Sequence, residues 1–430
     1  MKISKILIIF ITIIFLITTS ISFTSSVRAF STTTPNQLNG YIIRGVPYVS
    51  QQVVIYCEYA AIAMVLRYYD INISQIEILY DVGGAYSFGY KPNVKSIISY
   101  PLIRPPYTFR FWTDETGGGV DDYKFMANLY GLSLEYISPS RVHNREKCWK
   151  EYWEKLKEFI REDIPVVTGV DPTIWPPYLE CINLSIFIPA IFADTHVIVV
   201  VGFNETNKTV CVNDPGTGYF DHPEKGIYRW IDLKTFKRAV RRVNWELRNY
   251  KYTMLVFKKF SQPLSKDIIK NLVHQRNIQK MKGIKSSYDR DIGKIFNYLG
   301  INGLEKLEND IKSEFIPRIP MIKLIAKWYP LSYPFHDVLR MMVNNFHWEY
   351  ITKENVSHLL LSNKSTHIDG LLLKTESVYW HHLEELAREL ENVILYNNTA
   401  KAIEFSRPII EEMADTIDSI IAVEQIISSK

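Results

Sequence analysis

Cys57, His196 and Asp214 are the residues whose types and order could carry covalent chemistry in this chain. A free thiol is only about a few per cent ionised near neutrality and becomes an effective nucleophile when an imidazole takes its proton. The imidazole in turn needs a carboxylate to hold its tautomer and orientation. Gln51 stands six residues before Cys57. Its side-chain amide could donate to the oxyanion that forms when sulfur attacks a carbonyl. The order is oxyanion amide, nucleophile, base, orienting carboxylate, which is what thiol acyl transfer requires. Taken singly, each residue has a plainer reading. A cysteine at a helix start serves as a small buried hydrophobe, a histidine ahead of a strand packs in the core, and Asp-Pro-Gly makes a turn. Their joint occurrence at the ends of particular elements points to a site.

Those elements can be read from the hydrophobic pattern. In Gly45–Tyr69, GVPYVSQQVVIYCEYAAIAMVLRYY, a turn and a pair of glutamines lead into a helix that opens at Cys57. The helix is apolar almost all round, so it must be buried. A thiolate in its first turn is stabilised by the partial positive charge of the helix N-terminus. His196 opens HVIVVVGF, the most apolar run after the N-terminal segment, which predicts a central buried strand. Asn204–Lys208 turns the chain, and Thr209–Val212 returns as the partner strand, ending in Asn213-Asp214-Pro215-Gly216-Thr217-Gly218. A hairpin sets its two outer ends side by side, so Asp214 can reach the His196 ring although eighteen residues separate them. His143 and His222 are alternative bases, but neither begins a buried strand. Gln52 is the alternative to Gln51, and the spacing favours Gln51.

The remaining pattern predicts an α+β region followed by a helical one. Ile73–Tyr80 continues as a short helix, and DVGGAYSFGY (81–90) is a loop. A helix ends at Tyr130 before Gly131. Gly117-Gly118-Gly119 precedes that helix, but no GK[ST] follows. A flexible loop or close backbone approach is therefore preferred to a phosphate cradle. Trp149–Arg161 is an amphipathic helix and Pro165–Val170 a strand. Residues 172–192, rich in Pro and aromatics, are expected to cover the domain as a lid. Ile227–Trp230 and Tyr252–Phe257 are strands flanking the helix Leu233–Val243. After Phe260 amphipathic helices take over, near 264–279, 291–299, 303–314, 334–345, 375–396 and 400–428. A boundary near residue 260 would thus divide a catalytic domain, 30–260, from an all-helical domain, 261–430.

Composition narrows the functional class. The chain has 430 residues, 47% hydrophobic and 22% charged, with net charge +4. That suits a folded protein with room for two domains and makes no case for nucleic acid. Residues 1–29 have a basic start (Lys2, Lys5), an apolar run from Ile6 to Leu16, and Val27-Arg28-Ala29 ahead of a cut. This is the pattern of a secretory signal peptide, so the protein is expected outside the cytoplasmic membrane. Membrane attachment would follow only if the segment stays uncleaved. Sequons at Asn72, Asn183, Asn204, Asn207, Asn355, Asn363 and Asn397 fit export. Cys57, Cys148, Cys181 and Cys211 do not make a disulfide scaffold, with Cys148–Cys181 the candidate bridge if Cys57 is free. No cofactor motif is present and no Cys or His spacing suggests zinc. His274, His336, His347, His358, His367, His381 and His382 fall in the helical part without a ligand-pair pattern. The aromatics Trp328, Tyr329, Tyr333 and Phe335 read as inter-helix packing.

VPYVSQ, CEYAAIAMVLRYY, HVIVVVGF and NDPGTG together resemble the papain-like cysteine peptidases of the C39-like family, over roughly residues 45–257. The resemblance implies a papain-like fold and a peptide or amide substrate. It gives Gln51 to the oxyanion hole, makes Cys57 the nucleophile and His196 the general base and acid, and leaves Asp214 as the orienting carboxylate. Glu58 stands where many members have Gly, which is read as variation. A second, looser resemblance joins GGAYSFGY, VDPTIWPPY and GINGLEKLENDIK to relatives of butirosin biosynthesis protein H. It implies an acyltransferase that uses the same Cys57/His196 pair to pass an acyl group from a carrier protein to an amine. Export favours hydrolysis, because a carrier-protein substrate is cytoplasmic. A third reading is an inactive papain-like binding module, in which Cys57→Ala leaves function unchanged.

Overall fold

The computed structural model describes residues 39–52, 56–83, 88–94, 108–113, 120–138, 145–181, 196–242, 252–287, 297–310, 367–396 and 399–429, with helical positions scattered through 343–358. Its centre is an antiparallel seven-stranded sheet. The strands are β1 (Gly40–Ile42), β4 (Leu132–Ile137), β5 (Val166–Val170), β6 (His196–Asn204), β7 (Thr209–Asn213), β8 (Arg229–Asp232) and β9 (Met254–Lys259). They run β4-β9-β5-β6-β7-β8, with β1 also paired to β6. A smaller sheet joins β2 (Phe88–Val94) to β3 (Thr108–Thr113) and to β10 (Tyr298–Leu299).

The helices α1 (Cys57–Tyr68), α2 (Gln75–Val82), α3 (Val120–Leu129) and α4 (Arg145–Arg161) fall among the early strands. Short α5 (Pro176–Leu179) and α6 (Pro215–Tyr219) flank the β6–β7 hairpin, and α7 (Leu233–Arg242) follows β8. The later part holds α8 (Lys266–Met281), α9 (Ile301–Asp310), α10 (His367–Tyr396) and α11 (Thr399–Ser428). The architecture is α+β with a helical C-terminal region. Among the described residues no helix is long and apolar enough to cross a membrane.

β6 is central because it is buried on both faces, with Ile198, Val199, Val200, Val201 and Phe203 all enclosed. Helix α1 packs against it, and every residue from Tyr59 to Leu66 is buried. An amphipathic helix would leave one face wet. This one has sheet, α2 and α6 around it, which is why its sequence shows no polar stripe. The register pairs His196 with Val170 and Val199 with Asn213. Continued by one residue, it sets Asp214 opposite Ile198, two residues from His196 and on the same face.

Several expectations change. Asp81–Tyr90 is not loop throughout, since β2 begins at Phe88. The stretch 291–299 contains a strand, Tyr298–Leu299, which pairs with Tyr90 and Gly89. β4 is an additional edge strand after Gly131. Cys148 and Cys181 are both free thiols, on α4 and just after α5, so the candidate bridge is absent. Residues 1–29, Gly117–Gly119, His143, the 182–192 part of the expected lid and the aromatics Trp328, Tyr329, Tyr333 and Phe335 lie outside the described residues.

Contacts run across residue 260. Lys280 Nζ on α8 reaches Asp122 Oδ1 on α3 at 2.6 Å and the carbonyls of Val82 and Gly83 on α2. Arg276 pairs with the same carboxylate at 2.7 Å. His274 is bonded to Tyr80 and to Glu424, so this histidine of the helical part is packed and not a solvated side chain.

Candidate active site

Cys57 is the first residue of α1 and is buried. The residue before it, Tyr56, makes no side-chain capping hydrogen bond to the helix N-terminus at the thiol. His196 begins β6 and is buried. The Cys57 side chain lies close enough to the ring to raise its proton affinity. The ring Nε2 lies 2.6 Å from Asp214 Oδ1. With Nε2 engaged there, Nδ1 is the nitrogen left for sulfur.

Asp214 is fully buried at the end of β7 and caps α6. Oδ1 accepts from the Gly216 backbone N–H at 2.8 Å as well as from His196. Oδ2 accepts from the Trp175 indole N–H at 2.6 Å. A buried charge needs such donors, because each replaces part of the lost hydration. Burial pulls the His196 pKa down, but the adjacent Asp214 charge, its hydrogen bond and the Cys57 sulfur outweigh this and push it up to about 10. The site therefore favours an imidazolium over a neutral ring near neutrality.

The turn after Asp214 is shaped for close approach. A Cβ on Gly216 would sit 2.8 Å from His196 Cε1 and 3.0 Å from the Tyr178 ring. Tyr178 packs on the His196 ring with centroids 4.9 Å apart. A Cβ on Gly218 would meet Ser50 Oγ at 2.3 Å and Tyr48 Oη at 2.8 Å. These two glycines let the NDPGTG turn lie against the VPYVSQ segment. Tyr48 Oη donates to the Asp214 carbonyl at 2.9 Å and accepts from the Gly218 N–H at 2.9 Å. Burial, opposed by the Thr217 hydrogen bond, pushes the Tyr48 phenol up to about 12, so it stays protonated and keeps donating.

Gln51 is 2% exposed, while its neighbour Gln52 is exposed. The backbone N–H of Gln51 donates to the Pro215 carbonyl at 3.1 Å, which sets Gln51 beside the Asp214 turn. His222, the alternative base, lies in the turn after α6 with a side chain 44% exposed and pairs with Glu224. Among the described residues, no group of three His, Cys, Asp or Glu side chains is arranged to hold a metal.

Three neighbours of the site were not singled out by the sequence. Trp175 and Tyr178 fall in the stretch expected to be a lid, yet Trp175 is fully buried behind Asp214. Gln75, the first residue of α2, is bonded to the backbone on both sides of Gln51. The WPPY sequence carried one usable signal: a Trp whose N–H must find a buried acceptor two strands from an Asp.

A buried thiol beside an imidazole that is itself hydrogen-bonded to a carboxylate can perform nucleophilic acyl transfer. Residues 43–250 match the Peptidase_C39 like family, a span that contains Gln51, Cys57, His196 and Asp214. No curated protein matches the chain.

Proposed function

We propose that this chain, whose residues 43–250 belong to the Peptidase_C39 like family, is an exported cysteine peptidase or amidase acting through an acyl-enzyme at Cys57. The observation that carries the reading is the buried chain Cys57–His196–Asp214, with His196 Nε2 2.6 Å from Asp214. The thiol proton passes to His196, and Asp214 stabilises the imidazolium. The thiolate attacks the substrate carbonyl carbon, a C–S bond forms, and the carbonyl π pair moves onto oxygen. The Gln51 amide and the Cys57 backbone N–H donate to that oxyanion. Collapse breaks the C–N bond as His196 gives its proton to the departing amine. Water then gives a proton to His196 while its oxygen attacks the thioester, and Cys57 leaves as thiolate. Export rests on the Lys2–Ala29 pattern and predicts a mature N-terminus at Phe30.

Treating the mature protein with an iodoacetamide probe, and separately with casein or a peptide library, tests this reading. Stoichiometric labelling of Cys57 at mildly acid pH, lost in His196→Ala, together with peptide cleavage, is expected. Burial pushes the Cys211 thiol up to about 12 and raises Cys181, so neither should label under these conditions. Labelling of Cys57 no faster than that of Cys148, Cys181 or Cys211 would overturn the enzyme reading. Labelling without cleavage, with acyl transfer to an added amine, would make the protein a transferase.

A further inference from the structure

We infer that Gln75 is a positioning residue that aims the Gln51 side chain, an inference that rests on the acyl-transfer reading above. Residues 47–52 form neither helix nor strand, so regular backbone pairing does not hold them. Gln75 Nε2 donates to the Ser50 carbonyl at 2.9 Å, and Gln75 Oε1 accepts from the Gln52 N–H at 3.0 Å. The partners leave no choice of amide orientation, since a carbonyl only accepts and a backbone N–H only donates. The peptide between residues 50 and 51 is held at both ends, by Gln75 at the Ser50 carbonyl and by Pro215 at the Gln51 N–H. The peptide between residues 51 and 52 is held by Gln75 at the Gln52 N–H. Fixing both planes fixes φ and ψ of Gln51, and with them the direction of its Cα–Cβ bond.

Gln75 is itself held firmly. It is 3% exposed and opens α2 behind a capping box in which Ser74 and Glu77 satisfy each other's backbone N–H. Ile78, Leu79 and Val82 anchor the same helix in the core. Only a primary amide offers a donor and an acceptor in one plane at this reach. A Glu keeps the acceptor and loses the donor, and a Met keeps the length and loses both.

An oxyanion donor acts in acylation, where a carbonyl oxygen gains charge, and does not act in alkylation by iodoacetamide, where none does. Gln75→Met, Gln75→Glu and Gln51→Ala are therefore compared with wild type in two assays, p-nitrophenyl acetate turnover and iodoacetamide alkylation of Cys57. For Gln75→Met we expect kcat about 10- to 100-fold lower, KM little changed and alkylation within about twofold of wild type. Gln75→Glu should fall between wild type and Gln75→Met. Gln51→Ala should match Gln75→Met, and the double variant should lose little more. Unchanged turnover in Gln75→Met overturns the inference while the acyl-transfer reading stands. Equal loss of turnover and alkylation also overturns it, because Gln75 would then support the fold or Cys57. A wild-type protein with alkylation but no turnover of the ester overturns the acyl-transfer reading and this inference with it.

Discussion

The Trp175 indole N–H donates to Asp214 Oδ2 at 2.6 Å, on the carboxylate oxygen that does not face His196. The two oxygens therefore have different duties: one orients the imidazole, the other is tied to the buried wall. Trp175→Phe keeps most of the ring, which packs edge-on against Phe236, and removes only the N–H. A buried carboxylate left one donor short costs on the order of 1–3 kcal/mol. We expect turnover to fall about 10-fold or more and the denaturant midpoint to drop. Steady-state kinetics and urea unfolding of the variant check both. Full activity in Trp175→Phe would show that the Oδ2 bond does not orient Asp214.

The raised His196 pKa gives a signed pH dependence. Cleavage of an amide needs the imidazolium to protonate the leaving amine, so kcat/KM on an amide substrate should decline as pH rises through about 10. Asp214→Asn removes the charge that raises this pKa and leaves the burial that lowers it. The alkaline limb should then move to lower pH as the rate falls. The same shift affects stability. The folded state binds this proton more tightly than the unfolded chain, whose histidine titrates near its ordinary value of 6.5. Its stabilising contribution is fully present below about 6.5 and lost as pH rises toward 10. Melting temperatures of wild type and His196→Gln should converge over that window, read by circular dichroism.

Asp81 provides an independent check on electrostatics away from the thiol. Burial pushes its carboxyl up to about 7, against the Tyr130 hydrogen bond and with the help of Glu77. The folded state therefore holds a proton that the unfolded chain releases near 3.8. Stability linked to Asp81 is present at low pH and declines as pH rises toward and past 7. Asp81→Asn should leave stability nearly unchanged at pH 4 and raise it by about 1–3 kcal/mol at pH 9. Chemical denaturation at the two pH values measures the difference.

What could be read in the sequence was local or strongly periodic. HVIVVVGF announced a strand buried on both faces, and the turn after it placed Asp214 beside His196 through hairpin geometry. Trp175 and Gln75 were not legible in the same way. A Gln at the first turn of a helix has many ordinary uses, and its value here comes from Ser50 and Gln52, more than twenty residues upstream. Trp175 sits among prolines and aromatics that suggest surface cover, and its burial is decided by a carboxylate on another strand. Tyr298–Leu299 falls in a stretch whose pattern predicts helix, because a two-residue strand has no period of its own. Its conformation is set by pairing with β2, roughly 200 residues earlier.

The link between α3 and α8 can be tested through Asp122. Burial alone would raise its pKa, but Lys280 and Arg276 outweigh that and hold the carboxyl below its usual value. Lys280 is fully buried and Asp122 is 1% exposed. Removing one partner leaves a charge in the core without its counter-ion, which costs about 3–5 kcal/mol, far more than loss of a surface pair. Asp122→Ala should therefore lower the unfolding free energy by about that amount, while Lys280→Met in the same background should recover part of it by removing the stranded ammonium. A double-mutant cycle in guanidinium chloride gives the coupling. If Asp122→Ala unfolds residues after 260 at lower denaturant than those before it, followed by hydrogen exchange, the ion pair is what holds α8 to the sheet-bearing part. If both parts unfold together at the lower midpoint, the later helices belong to the same cooperative unit as the residues that carry Cys57.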